Sequence, residues 1–179
     1  MVAIGEIGDK TQLLALLLAA RFRRPVPIIL GILFATLLNH ALAGLLGAWV
    51  REAIGPDVLR WGLGVSFLAI AAWALKPDTV DEEPRAIGKY GAFAVTFAAF
   101  FMAEIGDKTQ IATIALAARF DSLVAVVAGT TVGMLLADVP AVFIADRASK
   151  KIPFAAIRYV AAALFAAMGV AVLAGFSLG

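Results

Sequence analysis

Among its 179 residues the chain has no cysteine and a single histidine, and only 16% of them are charged. The missing thiols exclude disulfides and thiolate metal sites. The shortage of charge is matched by an excess of apolar residues: 63% of the chain is hydrophobic and its mean hydropathy is +0.96. Soluble domains sit nearer about 45–50% apolar and about 25% charged, so the composition predicts a polytopic membrane protein embedded in a lipid bilayer. Fifteen Lys and Arg stand against thirteen Asp and Glu, a net charge of +2. These bases are scattered at segment ends, which argues against a nucleic-acid partner. Met1 is followed directly by "VAIGEIGD", with acids where the apolar region of a cleavable signal peptide would stand.

What is present is a set of long apolar runs. A transmembrane helix needs about 20 mostly apolar residues, and breaks at charged and Pro/Gly clusters leave six such segments, near 1–20, 26–49, 58–75, 90–118, 122–145 and 154–176. Shifting the chain by 98 positions lays "EIGDKTQ" at Glu6–Gln12 on "EIGDKTQ" at Glu104–Gln110. The same gapless register pairs Arg21-Phe22 with Arg119-Phe120, Gly31 with Gly129, Arg60 with Arg158 and Phe67 with Phe165. This is an internal repeat of three segments. Three crossings return the chain on the opposite side, so the second copy enters the bilayer upside down. The expected fold is therefore all-α, with six transmembrane helices arranged as two inverted-topology three-helix repeats in a single membrane domain, 1–179. Repeat 1 covers 1–77, an acidic connector 78–89, and repeat 2 90–179; such architectures hold their sites near the midplane between repeats.

Loop charge sets the expected orientation. Arg21, Arg23, Arg24, Lys76, Arg85, Lys89, Arg147, Lys150 and Lys151 fall on one side, against Arg51, Arg60 and Arg119 on the other, with Arg158 at the start of segment 6. This predicts both termini outside the cytoplasm and, for a bacterial protein, an inner-membrane location. Segment 4 has about fourteen residues before Glu104 whereas five precede Glu6, so the first helix is expected to be short at its N-terminus.

The doubled motif carries the charge. On a continuous helix Glu6, Asp9 and Lys10 share one face, as do Glu104, Asp107 and Lys108. Gly5, Gly8 and Gln12, and in the second copy Gly106 and Gln110, lie alongside, where small residues let helices approach. Six charges at mid-membrane cost roughly 15–20 kcal/mol if unpaired. The bland reading pairs Glu6 with Lys10 and Glu104 with Lys108 as i,i+4 bridges. It leaves the extra Asp, Gln and Thr of both copies unexplained. The functional reading makes Glu6, Asp9, Glu104 and Asp107 a divalent-cation site. Thr11, Thr109, Gln12 and Gln110 would then support it, and Lys10 and Lys108 would occupy the acids when the metal is absent. Closely spaced carboxylates also bind protons, so metal and proton would compete, which is the minimal chemistry of exchange. No catalytic residue, enzymatic activity or resident cofactor is expected; the ion is cargo.

Asp138 falls on His40 in the repeat register, beside Asn39, and the three form a candidate ion or proton path. One imidazole is otherwise read as hydrogen-bonded packing. Pro140 is expected to kink segment 5, "GTTVG" at 129–133 to be a packing motif, Met102 to lie in the core, and Trp49, Trp61 and Trp73 to be interfacial anchors. Two other classes fit the composition. One is an exporter of a small organic cation such as a basic amino acid, disfavoured by the nearby lysines; the other is a divalent-cation channel, disfavoured by how tightly clustered carboxylates would hold the ion.

The two copies of Glu-x-Gly-Asp-Lys-Thr, Glu6 to Thr11 and Glu104 to Thr109, resemble the signature of a family of small six-helix cation exporters. That family includes MneA-type bacterial manganese exporters and Golgi manganese/calcium transporters. The resemblance covers essentially the whole chain. It implies export of Mn²⁺, or of Ca²⁺ in some members, with proton countertransport, and metal-binding roles for Glu6, Asp9, Glu104 and Asp107.

Overall fold

The computed structural model describes residues 2–76, 91–144 and 154–175. The acidic connector 78–89 and the loop bases Arg85, Lys89, Arg147, Lys150 and Lys151 lie outside the described residues. Every described element is an α-helix: α1 (Val2–Glu6), α2 (Lys10–Phe22), α3 (Pro25–Ala53), α4 (Pro56–Ala74), α5 (Ala92–Glu104), α6 (Lys108–Arg119), α7 (Leu123–Ile144) and α8 (Phe154–Leu173). Helices α3, α4 and α7 are long and apolar enough to cross a membrane, and Ala92–Glu104 and Tyr159–Leu173 are shorter apolar helices. Prolines start two of them, Pro25 and Pro56 standing in the first turns of α3 and α4, where a missing N–H costs nothing. Pro140 sits inside α7.

Segments 1 and 4 are not the continuous helices expected from their apolar runs. Each is broken within the motif, α1 from α2 at 7–9 and α5 from α6 at 105–107. The cause is local: Gly8 has φ 83° and Gly106 φ 74°, the left-handed region that only glycine enters without a steric cost. These glycines therefore turn the chain, and Gly106, with nothing within 4 Å of where a β-carbon would stand, is no packing notch. With the helix broken between Glu6 and Lys10, Glu6, Asp9 and Lys10 do not lie along one continuous helical face.

The halves interlock. Helix α3 packs against α5 and α6, α7 packs against α1 and α2, and α4 packs against α8. One apolar cluster joins Leu14 and Leu18 of α2, Ile28 and Ile32 of α3, and Phe100 of α5. Another joins Phe67 and Ile70 of α4, Ala112 and Ala115 of α6, and Phe165 of α8. Close approach depends on glycine where a β-carbon would meet backbone: Gly47 faces the Ile114 carbonyl, and Gly64 and Gly169 face each other's carbonyls. Of the "GTTVG" pair, Gly133 packs against Val2 and Ala3, whereas Gly129 has open space. Large apolar side chains cover the outer surface, including Leu38, Leu42 and Leu45 of α3 and Leu136 and Phe143 of α7, as lipid contact requires. Met102 belongs there too, 67% exposed, and is not a core residue. Trp49, Trp61 and Trp73 are also outward-facing, as anchors are.

Candidate functional site

Each break places its acids at helix ends. Glu6 is the last residue of α1, and its carbonyl accepts from Asp9 N at 3.0 Å. Asp9 is the N-cap of α2. The second copy repeats this, with Asp107 N to the Glu104 carbonyl at 3.1 Å and Asp107 capping α6. Asp107 Oδ2 accepts from Thr109 N at 3.4 Å. Asp9 makes no such cap bond, so Asp107 answers an orphan N–H group while both carboxylates stand at the positive end of a helix dipole.

The glutamines hold the breaks open. Gln12 Oε1 accepts from Gly8 N at 2.8 Å, and Gln110 Oε1 from Gly106 N at 2.9 Å, satisfying backbone donors that the helix no longer serves. Their amide nitrogens reach across the repeats. Gln12 Nε2 donates to the Ala137 carbonyl at 3.0 Å, and Gln110 Nε2 to Asn39 Oδ1 at 3.4 Å. Ala137 and Asn39 are counterparts in the 98-residue register. Asn39 also donates to the Phe101 carbonyl at 3.1 Å.

Between the breaks the acids meet. One carboxylate oxygen from each of Glu6, Asp9 and Asp107 lies within 4.8 Å of the other two, all three residues being buried. Glu6 accepts from both threonine hydroxyls, Thr11 at 2.9 Å and Thr109 from the other motif. Glu104 is not in this trio. It is fully buried, neither of its oxygens has a hydrogen-bond partner among the described residues, and it lies within electrostatic reach of Glu6, Asp9, Asp107 and Asp138. Asp138 is likewise buried, and neither of its oxygens has a hydrogen-bond partner among the described residues. His40, buried on α3, places Nδ1 3.4 Å from the Thr131 hydroxyl of α7.

The lysines do not form the i,i+4 bridges that spacing allowed. Lys10 pairs with Asp107 at 2.9 Å, and Lys108 pairs with Asp9. Each ammonium therefore holds the aspartate of the other repeat. Spacing alone carried no signal for this exchange, because the partners are separated by about a hundred residues. Nor could it reveal the Ala137 and Phe101 carbonyls as acceptors, since a backbone group has no residue type to read.

A helical membrane protein with two broken helices around a buried acidic cluster has the build of a transporter. The comparisons agree: the divalent cation/proton antiporter GDT1 family matches residues 1–82 and 92–177, and the chain belongs to that family. It is 56% identical to a Vibrio cholerae protein described as "Putative manganese exporter" over 171 residues, 95% of this chain and 85% of the relative. It is 31% identical to the "GDT1-like protein sll0615" of Synechocystis over 175 residues, 84% of each chain. No solved structure matches it. The chain is thus a membrane transporter of the cation/proton antiporter family, not an enzyme.

Proposed function

We propose that the protein exports a divalent cation, Mn²⁺ first and Ca²⁺ as the alternative cargo, across a bacterial inner membrane in exchange for protons. The observation that carries this is the trio Glu6, Asp9 and Asp107, whose oxygens share one 4.8 Å neighbourhood between two broken helices. All-oxygen donors suit hard divalent ions, and broken helices present both dipole ends and spare carbonyls to an ion. Glu104, buried without a hydrogen-bond donor among the described residues, completes the four-acid site when the halves move. Asp138, His40 and Asn39 line the route for the proton.

The architecture proposed is six spans in two inverted repeats, α1–α2, α3 and α4 against α5–α6, α7 and α8, with both termini outside the cytoplasm. The crossed packing of α3 on α5–α6 and of α7 on α1–α2 supports it. So does the equivalence of the two breaks. In the empty carrier Lys10 and Lys108 stand in for the metal. With all five groups ionised, Glu6, Asp9 and Asp107 against the two lysines leave a charge of −3 + 2 = −1. The arriving ion takes the aspartates, and both bridges between the repeats open together. Metal binding is thereby coupled to the rocking of one half against the other.

The test is flux in proteoliposomes loaded with a pH dye and offered Mn²⁺, Ca²⁺, Mg²⁺ or lysine separately. Proton movement with Mn²⁺ and little with Mg²⁺ or lysine is expected. Movement driven by lysine and by no divalent ion would overturn the reading in favour of organic-cation export. Full Mn²⁺ transport by Glu6→Gln combined with Glu104→Gln would remove the acids from the site.

A further inference from the structure

Outside the motif, the 98-residue register sets like charge on like charge at only two places, Arg21 with Arg119 and Arg60 with Arg158. Other charged positions are not reproduced: Arg51 falls on Ser149, Asp57 on Ala155 and Lys76 on Ala174. Ion binding at the acidic cluster gives no reason for these arginines. The fold nevertheless brings one member of each pair together. Arg60, on α4 of the first repeat, and Arg119, closing α6 of the second, line one cavity of about 360 Å³ with Arg51, Leu59, Leu63 and Val172. It lies at the end of the bundle where α3, α6 and α8 finish and α4 begins.

The three arginines are not equivalent. Arg51 is engaged, donating to Asp121 at 2.7 Å and to the Phe120 carbonyl at 2.9 Å. Among the described residues neither Arg60 nor Arg119 has a carboxylate at ion-pair distance. Asp57, the acid in the first turn of α4, lines a separate recess with Val58 and Trp61. Arg60 is exposed, and Arg119 is half-buried with its guanidinium 5.6 Å from the Phe120 ring centroid; two cationic groups lining one cavity favour an anion there, and planar guanidinium forks match phosphate oxygens. The rest of the cavity lining is largely apolar, with Leu59, Leu63, Ala118 and Val172, and Trp49 and Trp61, exposed and within two positions of Arg51 and Arg60 along the chain, are residues that favour a membrane–water boundary. A phosphate carrying acyl chains meets both features; free phosphate meets only one.

We propose that Arg60 and Arg119 form a site for the phosphate of a membrane phospholipid, one guanidinium from each repeat. Arg21 and Arg158 are their counterparts in the 98-residue register.

Native mass spectrometry of the full chain in detergent, titrated with phosphatidylglycerol, diacylglycerol or inorganic phosphate, tests this without reference to transport. Phosphatidylglycerol should be retained and should raise the melting temperature; diacylglycerol should not. Arg60→Gln with Arg119→Gln should weaken retention about tenfold or more, as loss of charge-assisted hydrogen bonds does. Arg60→Lys with Arg119→Lys should recover part of it, because an ammonium keeps charge but not the fork. Equal binding of diacylglycerol by the wild type would overturn the proposal. So would unchanged phosphatidylglycerol retention by a double Gln variant that is helical and monodisperse. Displacement of the lipid by inorganic phosphate would reassign the site to the free ion.

Discussion

Gly8 and Gly106 are where one residue decides the site. A β-carbon at φ 83° or 74° costs about 1–2 kcal/mol, and relief of that strain would rebuild a continuous helix and withdraw the acids. Gly8→Ala or Gly106→Ala should therefore abolish Mn²⁺ flux while lowering the melting temperature by only a few degrees; equal flux by the variants would show that the breaks do not serve transport. The lysine–aspartate pairs make a sharper residue-scale prediction. Removing one member of a buried pair strands the other at a cost of about 3–5 kcal/mol. Asp9→Asn and Lys108→Gln should each destabilise strongly, and the double variant should be less destabilised than the sum of the two. Additive losses in the thermal melts of that cycle would mean the pair is not formed.

At the scale of elements, the all-helical membrane character and the three long apolar helices α3, α4 and α7 were legible, because bilayer thickness sets a length that hydropathy alone can measure. Their observed bounds differ from expectation mostly at the ends. Inside segments 1 and 4 the same apolar run hid a break, since hydropathy does not register φ and a glycine in a membrane helix reads equally as a packing notch. The α4–α8 contact shows that second use. Gly169→Leu would drive a side chain into Gly64 and Leu68, where overpacking costs about 1–3 kcal/mol. The variant should melt earlier yet keep its Mn²⁺ affinity, because the proposed site lies on other helices. Weaker Mn²⁺ binding at unchanged stability would contradict that separation.

For the whole molecule the exchange reading has a direction. Under the proposed exchange, protons and Mn²⁺ compete for the same oxygens, so acid on one side would empty the site there. In vesicles with an imposed pH gradient, Mn²⁺ should accumulate against its own gradient in the acidic compartment. At equilibrium, Mn²⁺ binding by the purified protein should weaken steadily as pH falls. Isothermal titration over a pH series checks the second expectation and radiotracer uptake the first. Accumulation that ignores the gradient would mark a uniporter or channel.

The amino-acid order by itself determined that the chain is a membrane protein, that it is doubled, and which acids are candidates for a site. Those properties are written in length, hydropathy and identity at a fixed shift. Only the tertiary structure decided that Glu6, Asp9 and Asp107 come together while Glu104 stands apart, that each lysine serves the opposite repeat, and that Arg60 and Arg119 share a cavity. The physical reason is the same in each case. These partners meet because two halves interlock, and a contact between residues tens to a hundred positions apart leaves no periodicity along the chain.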